Sequence, residues 1–493
     1  MAHSFASVGA DPDDHLSLPG WLYTDPEYYA VELDAVLRPS WQIVCHQSDL
    51  PGPGDFHTLD YLGESVIAIR GQDGQVRAFT NVCRHRAMRL VAGPSGCARK
   101  LVCPYHAWTY ETDGRLSGVP ARADYSTLDP AQHGLAPVDV EIWRGFIFVR
   151  LEDRGGPSVA GMMAPYDAEI APYRFEAMRT ISPVRLRERA VNWKNVGDNY
   201  SDGLHIPVAH PGLTRLFGKS YRIEAAPWVD RMSGYLADSP RANFWERFYQ
   251  ERLPHAPHLP DSHQRLWLYY KLWPNQAFDL YADQIDFMQW LPTGPTSCVL
   301  REMAFALPDD SREMKLVRYA NWRINRMVNA EDTWLITNVQ AGMASKSYTV
   351  GPIGDSEACL RSFARKIRGA DPRSEAPHTP TAGMEQKAKG YLKSLYRFRG
   401  RGTARRSRAR VRVGAGCKDE PPLHPLTRRS RRGNEATHRR YSGAASATGL
   451  GFRATQSTAS RHISLASPFR FASATTSRAC AISASGSGSP EPR

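Results

Sequence analysis

Hydrophobic and polar positions follow different patterns in successive parts of the chain. In residues 18–40, LPGWLYTDPEYYAVELDAVLRPS, Thr24 or Asp25 can cap a helix and Pro26 fits its first turn. From residue 41 the apolar residues fall in short β-rich runs that are separated by Gly, Asp and Pro. These patterns predict a short N-terminal helix followed by a strand-rich region.

The strand-rich region extends over about 110 residues and has the turn spacing of a small antiparallel β domain. Gly71 and Gly74 enclose a Gln-Asp pair, which predicts a hairpin connection. The runs that predict the strands are WQIVCHQ, DFHTLDYL, SVIAIRG, QVRAFTNVC, LVCPYHAWTYE and GFIFVRLE. A break that contains Gly and Pro at residues 153–157 predicts the C-terminal boundary of this domain.

The next part of the chain mixes helical and strand patterns. VNWKNVGDNYSDGLH has helical character, and its helix is expected to end near His205 because Pro207 blocks continuation. QIDFMQWLPTG and SCVLREMAFALP predict paired strands, and NWRINRMVNAEDTWLITNVQAGM predicts the longest helix, with Asp332 in its middle. We therefore expect an α+β protein with an N-terminal helical segment (1–40), a β domain (41–155), a second domain (156–375) and a tail (376–493).

The net charge of +13 comes from the tail. Residues 371–493 carry a net charge of +17, whereas residues 1–370 carry −4. The acidic body argues against nucleic-acid binding, which would depend on the tail alone. The tail is rich in Arg and then in Ser, Ala and Thr, which predicts disorder. A second hypothesis is that it is translated past the proper end of a gene or in the wrong frame.

Neither a membrane span nor a disulfide framework is predicted. No run of about 18 or more apolar residues occurs, and the N-terminus lacks the basic and apolar regions of a secretory signal. We therefore expect a cytoplasmic protein. Its eight cysteines are scattered over a long chain, and in a cytoplasmic protein Cys and His that lie close together more often bind metal.

One Cys/His constellation falls inside the β domain. It comprises Cys83-x-His85 and, after seventeen residues, Cys103-x2-His106. A Rieske [2Fe–2S] cluster needs two thiolates on one iron and two imidazoles on the other, so each loop offers one ligand of each kind. The alternative is a structural Cys2His2 zinc site, although the Cys-x-His arm is shorter than the usual zinc-finger arm.

A second constellation falls in the α+β domain. His205 and His210 supply two imidazoles, and Asp332 is the best candidate for a third ligand, as in a 2-His-1-carboxylate iron site. On a continuous helix the two imidazoles would point about 140° apart, so we expect Pro207 to end the helix and let His210 fold back. Asp202 is expected to lie on the same helical face as His205 and to orient an imidazole.

Both constellations resemble motifs of the catalytic α subunit of Rieske non-heme iron (aromatic ring-hydroxylating) oxygenases. NVCRHRAMRL and LVCPYHAWTY are similar to the two cluster loops of that family, and NWKNVGDNYSDGLHIPVAHPGL is similar to its iron-binding helix and loop. EDTWLITNVQAGMAS resembles the segment with the third iron ligand. The resemblance extends over about residues 18–370 and implies a Rieske antiparallel β domain followed by a helix-grip catalytic domain with a curved antiparallel sheet.

The resemblance also implies roles for individual residues. The implied cluster ligands are Cys83, His85, Cys103 and His106, and the implied mononuclear iron ligands are His205, His210 and Asp332. Asp202 matches a carboxylate that, in this family, bridges to a cluster histidine of the neighbouring subunit in a ring-shaped trimer, here His106. Ala87 and Ala107 stand where many members have glycine, which is harmless unless the local φ is positive.

The function implied is that of a terminal oxygenase that uses O2 and electrons from a separate NAD(P)H-dependent reductase or ferredoxin. The chain lacks both G-x-G-x-x-G after a strand and C-x4-C-x2-C, so a partner is required.

Family breadth favours hydroxylation or oxidative demethylation of a small aromatic compound. The many aromatic residues of 228–290 equally suit an alternative substrate, a choline- or betaine-like quaternary ammonium compound, although most should be core. Alternatives from other classes are a Rieske electron carrier, for which residues 160–370 would be surplus, and a zinc-stabilised binding protein.

Overall fold

The computed structural model of the protein describes residues 15–376, 378 and 379. The predicted short helix is present, because the Asp25 carboxylate caps α1 (Pro26–Glu32) by accepting a hydrogen bond from Tyr28 N at 2.8 Å. The predictions for the basic tail concern residues that lie almost entirely outside the described part.

The strand-rich region forms two antiparallel sheets. Its strands are β1 (Gln42–His46), β2 (Asp55–Tyr61), β3 (Glu64–Arg70), β4 (Val76–Thr80), β5 (Ser95–Cys97), β6 (Leu101–Val102), β7 (Thr109–Tyr110), β8 (Leu116–Gly118), β9 (Pro137–Trp143) and β10 (Phe146–Arg150). The larger sheet has the order β1-β10-β9-β4-β3-β2-β5, and the smaller one has the order β6-β7-β8. The predicted hairpin at Gly71 and Gly74 joins β3 to β4.

The second half is built on one large sheet. Its strands are β11 (Arg179–Thr180), β12 (Arg185–Arg189), β13 (Arg222–Glu224), β14 (Val229–Tyr235), β15 (Leu266–Leu272), β16 (Gln276–Leu280), β17 (Ile285–Gly294) and β18 (Ser297–Ala306). The sheet runs β11-β18-β17-β16-β15-β14-β13, and β12 also pairs with β18. The predicted pairing of QIDFMQWLPTG with SCVLREMAFALP is therefore confirmed as the β17–β18 hairpin.

The second half also contains helices. They are α2 (Val159–Met163), α3 (Asp167–Ile170), α4 (Trp193–Ser201), α5 (Ile206–Ala209), α6 (Pro211–Phe217), α7 (Phe244–Arg252), α8 (Arg312–Met343) and α9 (Ala358–Ala370). The predicted longest helix is α8, which has 32 residues and contains Asp332 near its middle. None of the helices in the described ranges has the length and apolar character that a bilayer crossing requires.

The two faces of the large sheet have different partners. On the outer face, the Phe278 ring lies 5.0 Å from that of Phe146 in β10, and Arg301 donates to the carbonyls of Ile43 and Val44 in β1. The side chains that alternate with these point to the inner face, on which α4 and α8 pack. The inner face therefore carries the helices on which the second predicted metal site depends.

The end of α4 differs from the prediction. The helix ends at Ser201 and not near His205, because Asp202 is extended (φ −85°, ψ 132°) and its carboxylate accepts hydrogen bonds from Leu204 N and His205 N. Pro207 lies in the first turn of α5, where its missing N–H costs nothing. The expectation that Asp202 and His205 share a helical face is thus wrong, since a turn brings them together.

Candidate metal centres

The two Cys/His loops of the β domain share one backbone pattern. Cys83 N donates to Met88 O at 2.8 Å and Ala87 N donates to Cys83 O at 3.1 Å. In the second loop the N–H of Cys103 donates to the Trp108 carbonyl, and the N–H of the fifth residue, Ala107, donates to the Cys103 carbonyl. Two similar loops that face each other place one thiol and one imidazole of each loop on a common centre.

Both of these loops turn through a left-handed alanine. Ala87 has a φ of 58° and Ala107 a φ of 55°, a region that favours glycine because a Cβ atom is crowded there. The condition under which these alanines would be harmless is therefore not met. Each loop stores backbone strain next to a cysteine.

The side chains of these loops fit an iron–sulfur cluster. The thiols of Cys83 and Cys103 are buried, and the His85 and His106 rings lie 4.6 Å apart. The Nδ1 atoms of both imidazoles are buried without a hydrogen-bond partner among the described residues. Buried ring nitrogens normally find a partner, so two orphaned atoms beside two thiols are what a bound metal group would satisfy.

Tyr110 is a further residue of this centre that the sequence patterns did not single out. Its hydroxyl lies 3.3 Å from Cys83 Sγ and accepts a hydrogen bond from Arg84 N at 2.9 Å. It is fully buried, and burial raises the pKa of its hydroxyl, so it stays protonated and can donate to the sulfur. Hydrogen bonds to a ligating sulfur tune the potential of such clusters.

Three donor atoms converge between α5 and α8. His205 Nε2 and His210 Nε2 lie 3.0 Å apart, and Asp332 Oδ1 lies 2.9 Å from the second and 3.7 Å from the first. Ligands about 2.1 Å from one ion and at right angles to each other would be about 3.0 Å apart, so this spacing fits one shared metal ion. The structure therefore brings the three predicted residues together.

Each imidazole of this triad is held by a carboxylate on its other nitrogen. His205 Nδ1 lies 3.0 Å from Asp202 Oδ2, and His210 Nδ1 lies 2.8 Å from Glu331 Oε2. These contacts place the hydrogen on Nδ1 and leave each Nε2 lone pair free for a metal. Burial acts to raise the pKa of Asp202, but hydrogen bonds from His205 and Leu204 lower it, so this carboxylate is ionised.

The sequence patterns missed Glu331. The available signal was its position next to Asp332, because two consecutive acidic residues in a helix diverge by about 100° and can reach different atoms of one imidazole. The negative groups also act on His210: burial lowers its pKa, but Asp332 and Glu331 together raise it.

Five side chains at the inner face of the sheet keep some accessible surface, and they are Tyr200, Tyr221, Tyr269, Asp279 and Asp286. Burial raises the pKa of Tyr221, and the negative charges of Asp279, Asp202 and Asp332 raise it further.

Most aromatic residues of 228–290 belong to the core, as expected. Trp267, Tyr270, Phe287 and Trp290 are buried, whereas Tyr235 and Phe244 are exposed. Tyr269 keeps some accessible surface.

Two family models match successive parts of the chain. The Rieske [2Fe-2S] domain matches residues 40–132, and the ring hydroxylating alpha subunit (catalytic domain) matches residues 174–370. The chain belongs to the Rieske non-heme iron oxygenases. The predicted fold class is thereby confirmed, and a Rieske cluster and a mononuclear iron are the cofactors of this family.

Curated relatives of this Rieske oxygenase are monooxygenase subunits. A glycine betaine monooxygenase oxygenase subunit of Chromohalobacter salexigens is 39% identical over 202 residues, which are 41% of this chain and 44% of that protein. A carnitine monooxygenase oxygenase subunit of Escherichia coli K12 is 33% identical over 42% of this chain and 55% of that protein. The chain thus spans about half the length of these relatives. Choline monooxygenase of Spinacia oleracea is 27% identical over 71% of this chain and 77% of that protein.

Solved structures share the fold. The quaternary ammonium Rieske monooxygenase CntA in complex with L-carnitine has a TM-score of 0.62 at 23% identity and covers 73% of this chain and 97% of that one. Naphthalene 1,2-dioxygenase with indole bound has a TM-score of 0.60 at 20% identity, covering 80% of this chain and 99% of that one.

Proposed function

We propose that this protein is the oxygenase component of a monooxygenase that oxidises a small quaternary ammonium compound. The observation that carries the proposal is the convergence of His205, His210 and Asp332 on one centre. The curated relatives act on betaine, carnitine and choline, so they favour the quaternary ammonium alternative over the aromatic substrate expected from the sequence. The cytoplasmic location and the domain bounds stay predictions.

We assign the metal ligands from the donor atoms that the structure brings together. The cluster ligands are Cys83, His85, Cys103 and His106, and the mononuclear iron ligands are His205, His210 and Asp332. When bound, these metal groups supply single-electron transfer and dioxygen activation. The protein keeps the Nε2 atoms of His205 and His210 unprotonated, because Asp202 and Glu331 each hold the hydrogen of the opposite nitrogen.

Electrons would come from an NAD(P)H-dependent reductase or ferredoxin and would pass between subunits of a homotrimer. Asp202 is half-buried. Leu204 and Val208 beside it are exposed, and Val208 is 87% exposed. On the cluster side, Tyr105 next to His106 is 53% exposed. Two apolar surfaces that each adjoin one metal centre suit a head-to-tail contact, in which Asp202 would reach His106 of a neighbouring copy.

The test combines metal analysis with oxygen consumption. Anaerobically purified protein should contain about three irons and two sulfides per chain, and His205→Ala should lose about one iron while keeping the cluster spectrum. His255→Ala is the matched control, since that histidine is 66% exposed and pairs with Asp261, and it should lose none. With a reductase supplied, oxygen uptake should depend on choline, glycine betaine or carnitine.

Two results would contradict the proposal. Colourless protein containing zinc would indicate a structural metal protein. A cluster without the third iron, and no substrate-dependent oxygen uptake in the presence of reductase, would indicate a simple electron carrier.

A further inference from the structure

A buried lysine lies under the last turn of α4. Lys271 in β15 is 2% exposed, and its Nζ donates to Gly197 O at 3.0 Å and to the hydroxyl oxygen of Ser201. Ser201 Oγ in turn donates to Gly197 O at 2.7 Å. These contacts join the sheet to the residue that directly precedes Asp202.

The helix comes close to the sheet because Gly197 has no side chain. A Cβ atom at this position would lie 3.2 Å from Phe363 Cζ and 3.4 Å from Trp290 Nε1. The Phe363 ring in α9 also lies 4.0 Å from Lys271 Nζ. The ammonium is therefore enclosed between the sheet, α4 and α9.

The hydrogen-bond partners of Lys271 in the described part of the chain both lie in α4, and neither is a carboxylate. Asp230, its direct partner in the β14–β15 register, is 3.7 Å from Lys366 Nζ instead. Burial of an ammonium without a carboxylate is costly. The carbonyl groups at the C-terminal end of a helix carry negative partial charge, so they favour a cation there. The position of Lys271 thus links its charge to the end of α4.

The Asp202 carboxylate depends on this end of the helix. Asp202 N donates to Asp198 O at 3.1 Å, which attaches its backbone to the last turn. Its carboxylate accepts hydrogen bonds from Leu204 N and His205 N and lies 3.0 Å from His205 Nδ1. Movement of the last turn would therefore move both the carboxylate and the imidazole that it holds.

From these contacts we propose that Lys271 is a positioning residue. By holding the last turn of α4, it keeps the Asp202 carboxylate in place for electron transfer between subunits. The inference rests on the proposed function, because Asp202 is the bridge proposed there.

The first experiment measures amide hydrogen exchange in the full-length, metal-loaded protein. Lys271→Met retains a side chain of similar length without the charge. It should raise the exchange rates of the Leu204 and His205 amides by about tenfold, because the Asp202 carboxylate protects them. Ser201→Ala removes one of the two acceptors of Lys271 and should act in the same direction by a smaller factor.

A second buried lysine provides the matched control. Lys366 Nζ in α9 donates to Ala226 O at 3.0 Å. Lys366→Met therefore removes a buried ammonium that also donates to a carbonyl, but one outside α4. It should leave exchange of the Leu204 and His205 amides unchanged.

The second experiment follows the absorption of the reduced cluster after O2 and choline, glycine betaine or carnitine are added. Asp202→Asn, supplied with excess iron, gives the rate of cluster oxidation without the bridge. Lys271→Met should slow the oxidation by about tenfold or more at pH 7, since small misplacements have effects of that size. Lys366→Met should not slow it.

The pH profile of this rate separates the charge of Lys271 from its bulk. Burial lowers the pKa of Lys271 to about 8, the negative charge of Asp230 raises it, and the positive charge of Lys366 lowers it. Asp198 in α4 also raises it, and so does Cys359 in α9, although burial raises the pKa of that thiol and keeps it neutral. The rate in the parent protein should fall as the pH rises through about 8, because the ammonium loses its charge. Lys271→Met should lose this step, and Lys366→Met should move it to higher pH.

The outcomes distinguish this inference from the proposed function. Unchanged exchange of the Leu204 and His205 amides in Lys271→Met and Ser201→Ala would overturn the inference, and Ser201→Ala decides alone if Lys271→Met does not fold. Unchanged cluster oxidation in Lys271→Met, with slow oxidation in Asp202→Asn, would overturn the inference and leave the bridge standing. Unchanged oxidation in Asp202→Asn would overturn the bridge and the role of Lys271 with it.

Discussion

The imidazole of His210 donates from Nδ1 to Glu331 Oε2 over 2.8 Å. Its Nε2 lies 2.9 Å from Asp332 Oδ1, so two consecutive residues of α8 contact opposite nitrogens of one ring. The ring is 99% buried and cannot rotate without losing both contacts. The orientation of one iron ligand therefore depends on a residue that does not itself reach the metal.

Removal of Glu331 should loosen the iron without affecting the cluster. Glu331→Ala should lower the affinity for the mononuclear iron by about 10–100-fold, since carboxylates that orient a ligating histidine have effects of that size. Glu331→Gln keeps an acceptor oxygen and should recover part of the affinity. Iron retention during dialysis against a chelator is the measurement, and the cluster absorption should be unchanged.

Glu313→Gln, at an exposed position in the first turn of the same helix, is the matched control and should retain iron like the parent protein. Equal iron retention in Glu331→Ala and in this control would show that the contact at 2.8 Å does not position the ring.

Replacement by glycine should change the free energy of unfolding in opposite directions at the strained alanines of the cluster loops and at an ordinary alanine. Ala87→Gly and Ala107→Gly should each stabilise the protein by up to about 1 kcal/mol, because glycine adopts a positive φ without a Cβ clash. Ala92→Gly, in the same exposed loop region but without a positive φ, should lower the free energy of unfolding through added chain entropy. Denaturant unfolding followed by cluster absorption measures all three, and a loss of stability in both loop variants would contradict the strain argument.

The sequence was most informative where spacing alone limits the chemistry. Cys83-x-His85 and Cys103-x2-His106 already pair one thiol with one imidazole in each loop, and the β17–β18 hairpin follows from its apolar alternation. The predicted end of α4 was wrong because the Asp202 side chain accepts hydrogen bonds from the backbone, which competes with the helix. Helix propensity does not report that competition. Glu331 was missed because its role depends on its contact with His210, which is distant in sequence.

Asp279 and Asp286 are paired on β16 and β17, and they should make the stability of the protein depend on pH. Burial raises the pKa of Asp279 to about 7, and the negative charge of Glu302 adds to this, against hydrogen bonds from Tyr200 and Tyr281; burial also raises the pKa of the facing Asp286. Below that pKa the Asp279 carboxyl is neutral.

The same shift affects stability, and its sign follows from the raised pKa. A carboxyl whose pKa is higher in the folded state stabilises the fold at low pH, and this contribution is lost as the pH rises towards about 7. The melting temperature should hence be lower at pH 7 than at pH 5. Asp279→Asn should flatten this difference, and an unchanged slope in that variant would assign the pH dependence to another group.

Electron transfer between subunits can be tested by complementation. Cys103→Ser should prevent cluster assembly but leave the iron triad intact. Asp202→Asn keeps an acceptor oxygen for His205 Nδ1, so with excess iron supplied it should retain both metal centres but interrupt the proposed bridge. Each variant alone should be nearly inactive. Chains of the two variants, unfolded, mixed and reconstituted together, should recover activity, because a cluster from one chain would face an intact Asp202 and iron triad on the other. Variants reconstituted apart and then mixed are the control. Activity that never recovers, with both metal contents verified, would show that electrons pass within one subunit.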